Sequence, residues 1–343
     1  MKTKLKHFLQ LSKIALKIIQ CKLKKCRIPI TVSFHITNKC NLRCTYCYSN
    51  INNRFEDNLE DFKTQELMGY IKEMRELGTR WVILLGGEPL MRNDIGELVD
   101  FIKNENILCE IVTNGVLIPH KIMDIKKADL LCVSLDGPKN LNDVVRGKGS
   151  YEKAVKGLSV SYENRMKTRI HAVLTRFNNN SESIYHLWDL ADEFNTTFGF
   201  STPIINDLPD STSCLVDPKE GQDFWRLLLD MKKKGAPIYN TKQTIKKMIQ
   251  YSQIPLVSNN ITKFDCFAGN RFCYVDSEGY VYPCIANGIK NGLNIKDVGF
   301  KEAWDALDNF LCTNKCTHIQ YLEANDIMNL RFHSIGLGLK TIR

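Results

Sequence analysis

Residues 30 to 47 read ITVSFHITNKCNLRCTYC, a short strand pattern that runs directly into three cysteines. Apolar residues at 30, 32, 34 and 36 alternate with polar ones, which is the period of a β-strand. Cys40, Cys44 and Cys47 follow at Cx3Cx2C spacing, so three thiols can meet on one small inorganic centre. A closed structural zinc site or an electron-transfer cluster takes four protein ligands, and three thiols leave one position for something that reacts. A zinc knuckle or three unrelated thiols is the alternative.

After this loop the chain alternates between helix and strand patterns as far as residue 201. Six βα-type units with strands that are apolar on both faces predict an α/β fold with a parallel sheet. Periodicity alone allows either a barrel or a doubly wound sheet. Turn-forming residues at 203–218 end the alternation of strand and helix patterns, and two helices follow them. The expected strands after the first are 81–85, 107–112, 130–135, 170–175 and 197–201; the expected helices are 64–77, 94–104, 120–127, 151–163, 182–194, 219–234 and 241–252.

The net charge of +9 comes from one end of the chain. Residues 1–27 hold nine basic side chains and no acid, and the remaining chain holds 38 basic and 38 acidic residues. A neutral body gives no broad phosphate-binding face, so we expect no nucleic-acid partner. Residues 5–20 carry an apolar helical stripe among lysines. This helix either packs on the outside of the fold or contacts an anionic membrane or a partner. The stripe residues are Phe8, Leu11, Ala15, Ile18 and Ile19.

Thirteen cysteines are many for a chain of 343 residues. The lysine-rich start is not followed by the uninterrupted apolar region of a signal peptide, and no stretch is apolar enough to span a bilayer. Clustered cysteines in a cytosolic chain are typical of metal ligands rather than disulfides. We therefore expect a cytoplasmic metalloprotein.

Three further motifs stand where predicted strands end, and parallel sheets place their active sites at the carboxyl ends of strands. Gly86-Gly87-Glu88-Pro89 ends the second strand, Thr113-Asn114-Gly115 the third, and Ser134-Leu135-Asp136-Gly137 the fourth. The glycines let a ligand approach the backbone, and Glu88 can accept a hydrogen bond from an ammonium group. Helix caps and turns are the structural alternative for Ser134, Asn114 and Asp136.

The cysteine loop together with the GGEP sequence resembles the radical S-adenosylmethionine (radical SAM) enzymes. This resemblance implies a partial (β/α)6 barrel and a [4Fe-4S] cluster, held by Cys40, Cys44 and Cys47, whose fourth iron binds SAM. It also implies a SAM pocket in which Gly86, Gly87 and Glu88 contact the amino group. Tyr46, Asn114, Ser134 and Asp136 would line the remainder of that pocket. Arg146 resembles a recurring position of the family. Two alternatives stay open for it: it binds a carboxylate, or it is a surface arginine without a role in the site.

A second set of cysteines lies in the tail. Cys266, Cys284, Cys312 and Cys316 flank a predicted hairpin at 274–282, in a pattern similar to SPASM and twitch domains. This resemblance implies one auxiliary [4Fe-4S] cluster held by those four thiols. A structural zinc site is the alternative, and Cys273 has no assigned role.

The expected organisation is therefore a basic N-terminal helix, a radical SAM barrel, a linker with helices, an auxiliary-cluster domain and a tail. Their ranges are 1–29, 30–202, 203–262, 263–320 and 321–343. The resemblance implies an enzyme that cleaves SAM reductively and abstracts a hydrogen atom from a peptide or small metabolite. Flavodoxin or ferredoxin would be the reductase.

Two alternative functions stay open. The first is a cyclase of molybdenum-cofactor synthesis, which ranks lower because the chain ends in Lys340-Thr341-Ile342-Arg343 rather than Gly-Gly. The second is a non-catalytic iron–sulfur or zinc protein that senses redox state, which Glu88 disfavours. Only about thirty residues precede the first strand, which mildly disfavours a built-in leader-peptide-binding domain.

Overall fold

The computed structural model describes residues 2–48, 61–204, 214–251, 266–285, 292–307, 316 and 318–329. Strands and helices alternate through most of this length. The strands are β1 Thr31–His35, β2 Trp81–Leu85, β3 Leu108–Thr113, β4 Leu130–Ser134, β5 Thr168–Val173, β6 Phe198–Ser201, β7 Phe272–Val275 and β8 Val281–Tyr282. The helices are α1 Lys2–Lys24, α2 Thr64–Leu77, α3 Ile95–Asn104, α4 Ile118–Ile125, α5 Lys139–Arg146, α6 Ser150–Glu163, α7 Ser181–Glu193, α8 Pro218–Lys233, α9 Lys242–Tyr251, α10 Ile295–Asp305 and α11 Ile319–Met328.

The sheet has the strand order β6-β5-β4-β3-β2-β1-β7-β8. Strands β1 to β6 are parallel neighbours in the order in which the chain makes them. A doubly wound sheet reverses its strand order at a switch point, whereas winding in one direction is the pattern of a (β/α) barrel. The partial barrel predicted from the sequence is therefore confirmed.

The hairpin predicted in the tail is also present, and its first strand joins the barrel sheet. β7 pairs parallel to β1, with Val32 opposite Cys273, and β8 pairs antiparallel to β7. The side chain of Asp276 shapes the connecting turn by accepting backbone hydrogen bonds from residues 278, 279 and 280. The polypeptide that carries the tail cysteines is thus tied by main-chain hydrogen bonds to the strand that precedes the first cysteine loop.

The core lies between the sheet and the helices that cover it. Phe34 of β1 is fully buried and its ring meets Phe62 edge-on at 5.6 Å. Its neighbour in register is Leu84 of β2, which is also fully buried. Burying such side chains contributes about 1.5–3 kcal/mol each. The core therefore fixes the strand ends at which the polar motifs stand.

Helix α1 packs on the outside of this assembly, and among the described residues of the stripe expected from the sequence only Ile18 is buried. Ile14, Ile18 and Cys21 are its buried side chains, and they belong to a small cluster with Ala268, Phe272 and Met328. Ile19, predicted on the packed stripe, is exposed. Phe8 and Leu11 lie outside the side chains that the structure describes. The error arose because two apolar stripes share this helix, and spacing alone does not say which one meets the protein.

Helix α11 runs across the boundary predicted between residues 320 and 321, and the division of the chain into domains stays a prediction. Ile319 and Leu322 of α11 are buried in the main core. Helix α5, which had no prediction, is a second addition. Among the residues described, none of the helices has the length and apolar character needed to cross a membrane.

Candidate active site

The cysteine loop leaves β1 and lies directly against the turn that ends β2. The backbone N–H groups of Gly87 and Glu88 donate to the carbonyl oxygens of Thr37 and Lys39, each at 2.8 Å. A Cβ atom on Gly87 would lie 2.4 Å from the Lys39 oxygen, and one on Gly86 would lie 2.7 Å from the Thr37 oxygen. Both contacts are too short for any side chain. The two glycines therefore serve the approach of the loop itself; the predicted SAM contact of Gly86 and Gly87 stays a prediction.

The three thiols of the loop are half-buried and free of disulfides. The pKa of Cys40 is raised to about 12, chiefly by burial; the backbone N–H of Leu42 opposes this rise, and the charges of Glu88, Cys44 and Cys47 contribute to it. Burial likewise raises the pKa of Cys44 to about 11. The thiols are near enough for their charges to act on one another. A bound cation would reverse the cost of ionising them.

The donor set fits an iron–sulfur cluster. Within the described ranges, no three His, Cys, Asp or Glu side chains converge on a point for a single metal ion. A cubane cluster spreads its ligands more widely than one ion, since each thiolate binds a different iron. Three thiols on one loop would then be the protein's full contribution to such a cluster, and one iron would be left for another ligand.

The loop is closed on its other side by an ionic network around Asp136. This carboxylate is fully buried. Its Oδ2 accepts from the Tyr46 hydroxyl and from Arg146 Nε, each at 2.7 Å, and its Oδ1 accepts from the backbone N–H of Val173 at 2.8 Å. The Arg146 guanidinium lies 5.5 Å from the centre of the Tyr46 ring. Burial alone would lower the pKa of Arg146, but the attraction of Asp136 raises it well above the usual value.

This network answers the question left open for Arg146, which is buried rather than on the surface. It also engages both oxygens of Asp136 within the protein. The direct contact of Asp136 and Tyr46 with SAM therefore stays a prediction. What the geometry provides is a rigid connection between the cysteine loop, α5 and the end of β5.

Glu88 is the second buried carboxylate of the site. Its Oε1 accepts from the Thr113 hydroxyl at 2.7 Å and from the backbone N–H of Leu90 at 3.0 Å. Its Oε2 accepts from the backbone N–H of Asn114 at 2.7 Å. Burial raises the pKa of Glu88 to about 7, and these three hydrogen bonds oppose the rise. A carboxylate has about four acceptor sites, so one stays available for the predicted ammonium donor.

Asn114 and Ser134 complete the predicted set. The Asn114 side-chain amide donates to the Asn41 side chain at 2.7 Å, which ties the end of β3 to the cysteine loop. Ser134 is half-buried and stands in register with His171 of β5. His171 Nε2 lies 2.9 Å from the Ser201 hydroxyl. Residues in register on adjacent strands share a face, so these polar groups lie together on one face of the sheet, which we call the inner face.

One contact of the loop had no signal in the sequence. The thiol of Cys214 donates to the Thr45 hydroxyl at 3.4 Å, across 169 residues of chain. Cys214 is buried and lies within the turn-rich segment 203–218. No local sequence pattern predicts this contact, because the two residues are far apart in the chain and meet only after folding.

The structure brings three of the four predicted tail thiols to helix α11. The Asn325 amide donates to Cys266 Sγ at 3.6 Å, and the Tyr321 hydroxyl accepts from the backbone N–H of Ile285, next to Cys284. Burial raises the pKa of Tyr321, and the charges of Cys284 and Cys316 add to the rise. Cys312 lies outside the described residues. Cys273 is buried within β7, and burial raises its pKa strongly, which is the environment of a core residue.

The fold and the site together define an enzyme class in which a cysteine loop at the carboxyl edge of a partial barrel carries the reactive centre. The radical SAM superfamily model matches residues 34–187. The chain is 26% identical over 298 residues to an AdoMet-dependent heme synthase of Methanosarcina barkeri, covering 82% of this chain and 84% of that protein. It is 28% identical over 301 residues to the mycofactocin maturase MftC of Mycolicibacterium smegmatis, covering 82% and 71%.

Among solved structures, SuiB of Streptococcus suis bound to S-adenosylmethionine superposes with a TM-score of 0.63 at 20% identity. The match covers 83% of this chain and 66% of SuiB, so this chain spans about two thirds of that protein. The match to the superfamily model and the similarity to these proteins support a radical SAM enzyme of the SPASM- and twitch-containing subgroup. The chain is an enzyme, and its family implies a [4Fe-4S] cluster and SAM as cofactors.

Replacing Asp136 with Asn should destabilise the protein by about 3–5 kcal/mol, because Arg146 would keep a buried charge without its partner. Glu152 is the matched control: its ion pair with Lys139 is at the surface, with side chains 51% and 63% exposed, so Glu152→Gln should leave the stability almost unchanged. Urea unfolding of the cluster-free protein measures both. Adding Arg146→Met to Asp136→Asn should recover part of the loss; equal costs for Asp136→Asn and Glu152→Gln would contradict the assignment.

Glu88 should make stability depend on pH in a defined direction. Its folded pKa of about 7 lies above the ordinary value of 4.5, so the folded state favours the protonated form. Its contribution is complete below about pH 4.5 and is lost as the pH rises through about 7, up to roughly 3 kcal/mol at about 1.4 kcal/mol per unit. Urea titrations at several pH values should show this slope in the cluster-free wild type. A Glu88→Gln protein with the same slope would refute the assignment.

Proposed function

We propose that this chain uses Cys40, Cys44 and Cys47 to hold a [4Fe-4S] cluster that binds SAM, and that it modifies a peptide or another substrate with neutral polar groups. When bound, such a cluster would supply the one electron needed for reductive cleavage of the SAM C5′–S bond, which would give methionine and a 5′-deoxyadenosyl radical able to abstract a hydrogen atom from the substrate. The observation that carries the proposal is the fixed placement of three free thiols beside Glu88 at the carboxyl edge of the barrel.

The residues of the site then have separate tasks. Glu88 keeps one acceptor site for the SAM ammonium, while Thr113 and Asn114 hold its carboxylate in place. The Asp136–Arg146 ion pair orients Tyr46 next to the cluster. The buried surroundings keep water away from the radical. SAM would be regenerated if the product radical takes a hydrogen atom back from 5′-deoxyadenosine, and it would be consumed otherwise.

The inner face of the sheet supports a neutral substrate segment. Burial and the charge of Arg169 lower the pKa of His171 to about 3, so its imidazole is uncharged at physiological pH. Arg169 is itself ion-paired with the buried Glu110. Neutral imidazole and hydroxyl groups both donate and accept hydrogen bonds, as the amides of a peptide require. The relatives do not decide between a peptide and another substrate, since one is named a mycofactocin maturase and another a heme synthase.

We further propose that Cys266, Cys284, Cys312 and Cys316 hold one auxiliary [4Fe-4S] cluster. Three of these thiols neighbour Tyr321 or Asn325, and the Asn325 amide donates toward sulfur, as groups around iron–sulfur clusters do. This cluster would accept an electron from the product radical or bind substrate. Electrons for the first cluster would come from a flavodoxin or ferredoxin. Oxygen-sensitive clusters fit the reducing cytoplasm.

The direct test is formation of 5′-deoxyadenosine. The protein is reconstituted anaerobically with iron and sulfide, reduced with dithionite and given SAM, and the nucleoside is measured by mass spectrometry. Wild type should form 5′-deoxyadenosine, and Cys44→Ala should form none above background because the cluster loses a ligand. Cys109→Ala is the matched control, since Cys109 is a core thiol of β3 and its variant should keep the activity. Loss of activity in both variants, or in neither, would refute the assignment.

Iron content of the same preparations separates the two sets of thiols. Wild type should bind about eight irons per chain. Cys284→Ala should lose about half of them, whereas Cys273→Ala should keep all, because Cys273 is a core residue. Zinc at the tail thiols, with about four irons in wild type, would overturn the auxiliary cluster and leave the first site intact.

A further inference from the structure

Helix α1 carries two apolar stripes on opposite sides. Ile14, Ile18 and Cys21, spaced i, i+4 and i+7, are buried against the protein. Leu16, Ile19 and Leu23, spaced i, i+3 and i+7, point the other way and are 64%, 40% and 81% exposed. At 100° per residue the two stripes are centred about 165° apart on the helix. One stripe fixes the helix to the body, and the second has no function in that packing.

We propose that the second stripe, Leu16, Ile19 and Leu23, docks the protein on an anionic phospholipid surface. Large side chains exposed in a row differ from the scattered apolar residues of an ordinary surface. The helix would lie in the plane of the membrane with this stripe inserted at the headgroup boundary.

The positive charge around the exposed stripe favours an anionic membrane as its binding partner. All nine charged side chains of residues 1–27 are basic, while the remaining chain has equal numbers of acidic and basic groups. Lys13, Lys24 and Lys25 are exposed beside the stripe, and Lys22 donates to the backbone oxygen of Asn329. Lysines around an apolar stripe reach anionic headgroups while their carbon stems cover apolar surface. A second copy of this chain would bring the same positive charge and would be repelled.

The packed stripe gives the docking a structural consequence. Ile14, Ile18 and Cys21 share one buried cluster with Ala268 and Phe272, which lie between Cys266 and Cys273 of the tail. Arg271 donates to the backbone oxygens of Cys21 and Cys26. The membrane-bound face is therefore held to the body by the segment that carries the tail cysteines. An apolar or membrane-associated substrate or reductase would be met at this side of the enzyme.

Vesicle flotation with the full chain tests the proposal without any cluster or SAM. Wild type should float with vesicles of phosphatidylcholine and phosphatidylglycerol, and high salt should weaken the binding because it screens the lysines. The triple variant Leu16→Ser, Ile19→Ser and Leu23→Ser should bind at least about tenfold more weakly. The triple variant Lys13→Gln, Lys24→Gln and Lys25→Gln should lose about tenfold or more on anionic vesicles.

The matched control is Met123→Ser with Val144→Ser, which removes two exposed apolar side chains away from α1 and should bind like wild type. Circular dichroism would be used to check that each variant keeps its fold. Wild-type binding by the stripe variant, or equal binding to pure phosphatidylcholine, would overturn the proposal. So would a dimer in light scattering that the stripe variant dissociates, since the stripe would then be an interface between copies. These readouts are independent of SAM cleavage, so either proposal can fail alone.

Discussion

The site depends on one close approach of two backbones. The cysteine loop can lie against the end of β2 only because residues 86 and 87 have no side chains, and two hydrogen bonds of 2.8 Å hold the contact. The loop follows β1 and the turn follows β2, so the parallel pairing of those strands brings them to the same edge. Where the thiols stand is thus determined by sheet register and by two glycines, before any cluster binds.

Buried charge is the second constraint, and the protein meets it by pairing. Asp136 is balanced by Arg146, and Glu110 by Arg169. Glu88 pairs with no cation among the described residues and takes three hydrogen-bond donors instead, which only partly offset burial, so its pKa is raised to about 7. Burial raises the pKa values of the Cys40 and Cys44 thiols in the same way. A cationic cluster and the SAM ammonium would compensate these groups, so the cofactors complete an electrostatic balance that the protein alone leaves unfinished.

Local pattern was sufficient for the strands and for most helices, because each strand is an apolar run bounded by turn formers. The Cys40–Cys47 loop and the Gly86–Glu88 turn were likewise visible, since their spacing is local. Strand order was not, because periodicity does not say which strands are neighbours. The partners of Asp136 were also hidden: a strand-end aspartate suggests a ligand, and only the folded chain brings Arg146 and Val173 to it. Cys214 reaches Thr45 across 169 residues, beyond any pattern in the sequence.

The account rests on one iron of the proposed cluster that has no cysteine ligand from the loop. Its most direct test is the electron paramagnetic resonance spectrum of the reduced, reconstituted protein in a Cys266→Ala/Cys284→Ala background, which leaves only the loop cluster, recorded with and without SAM. We expect a [4Fe-4S]⁺ signal whose g values shift when SAM is added, because SAM binds the open iron. A signal that SAM does not alter, or zinc in place of iron at these thiols, would contradict the account.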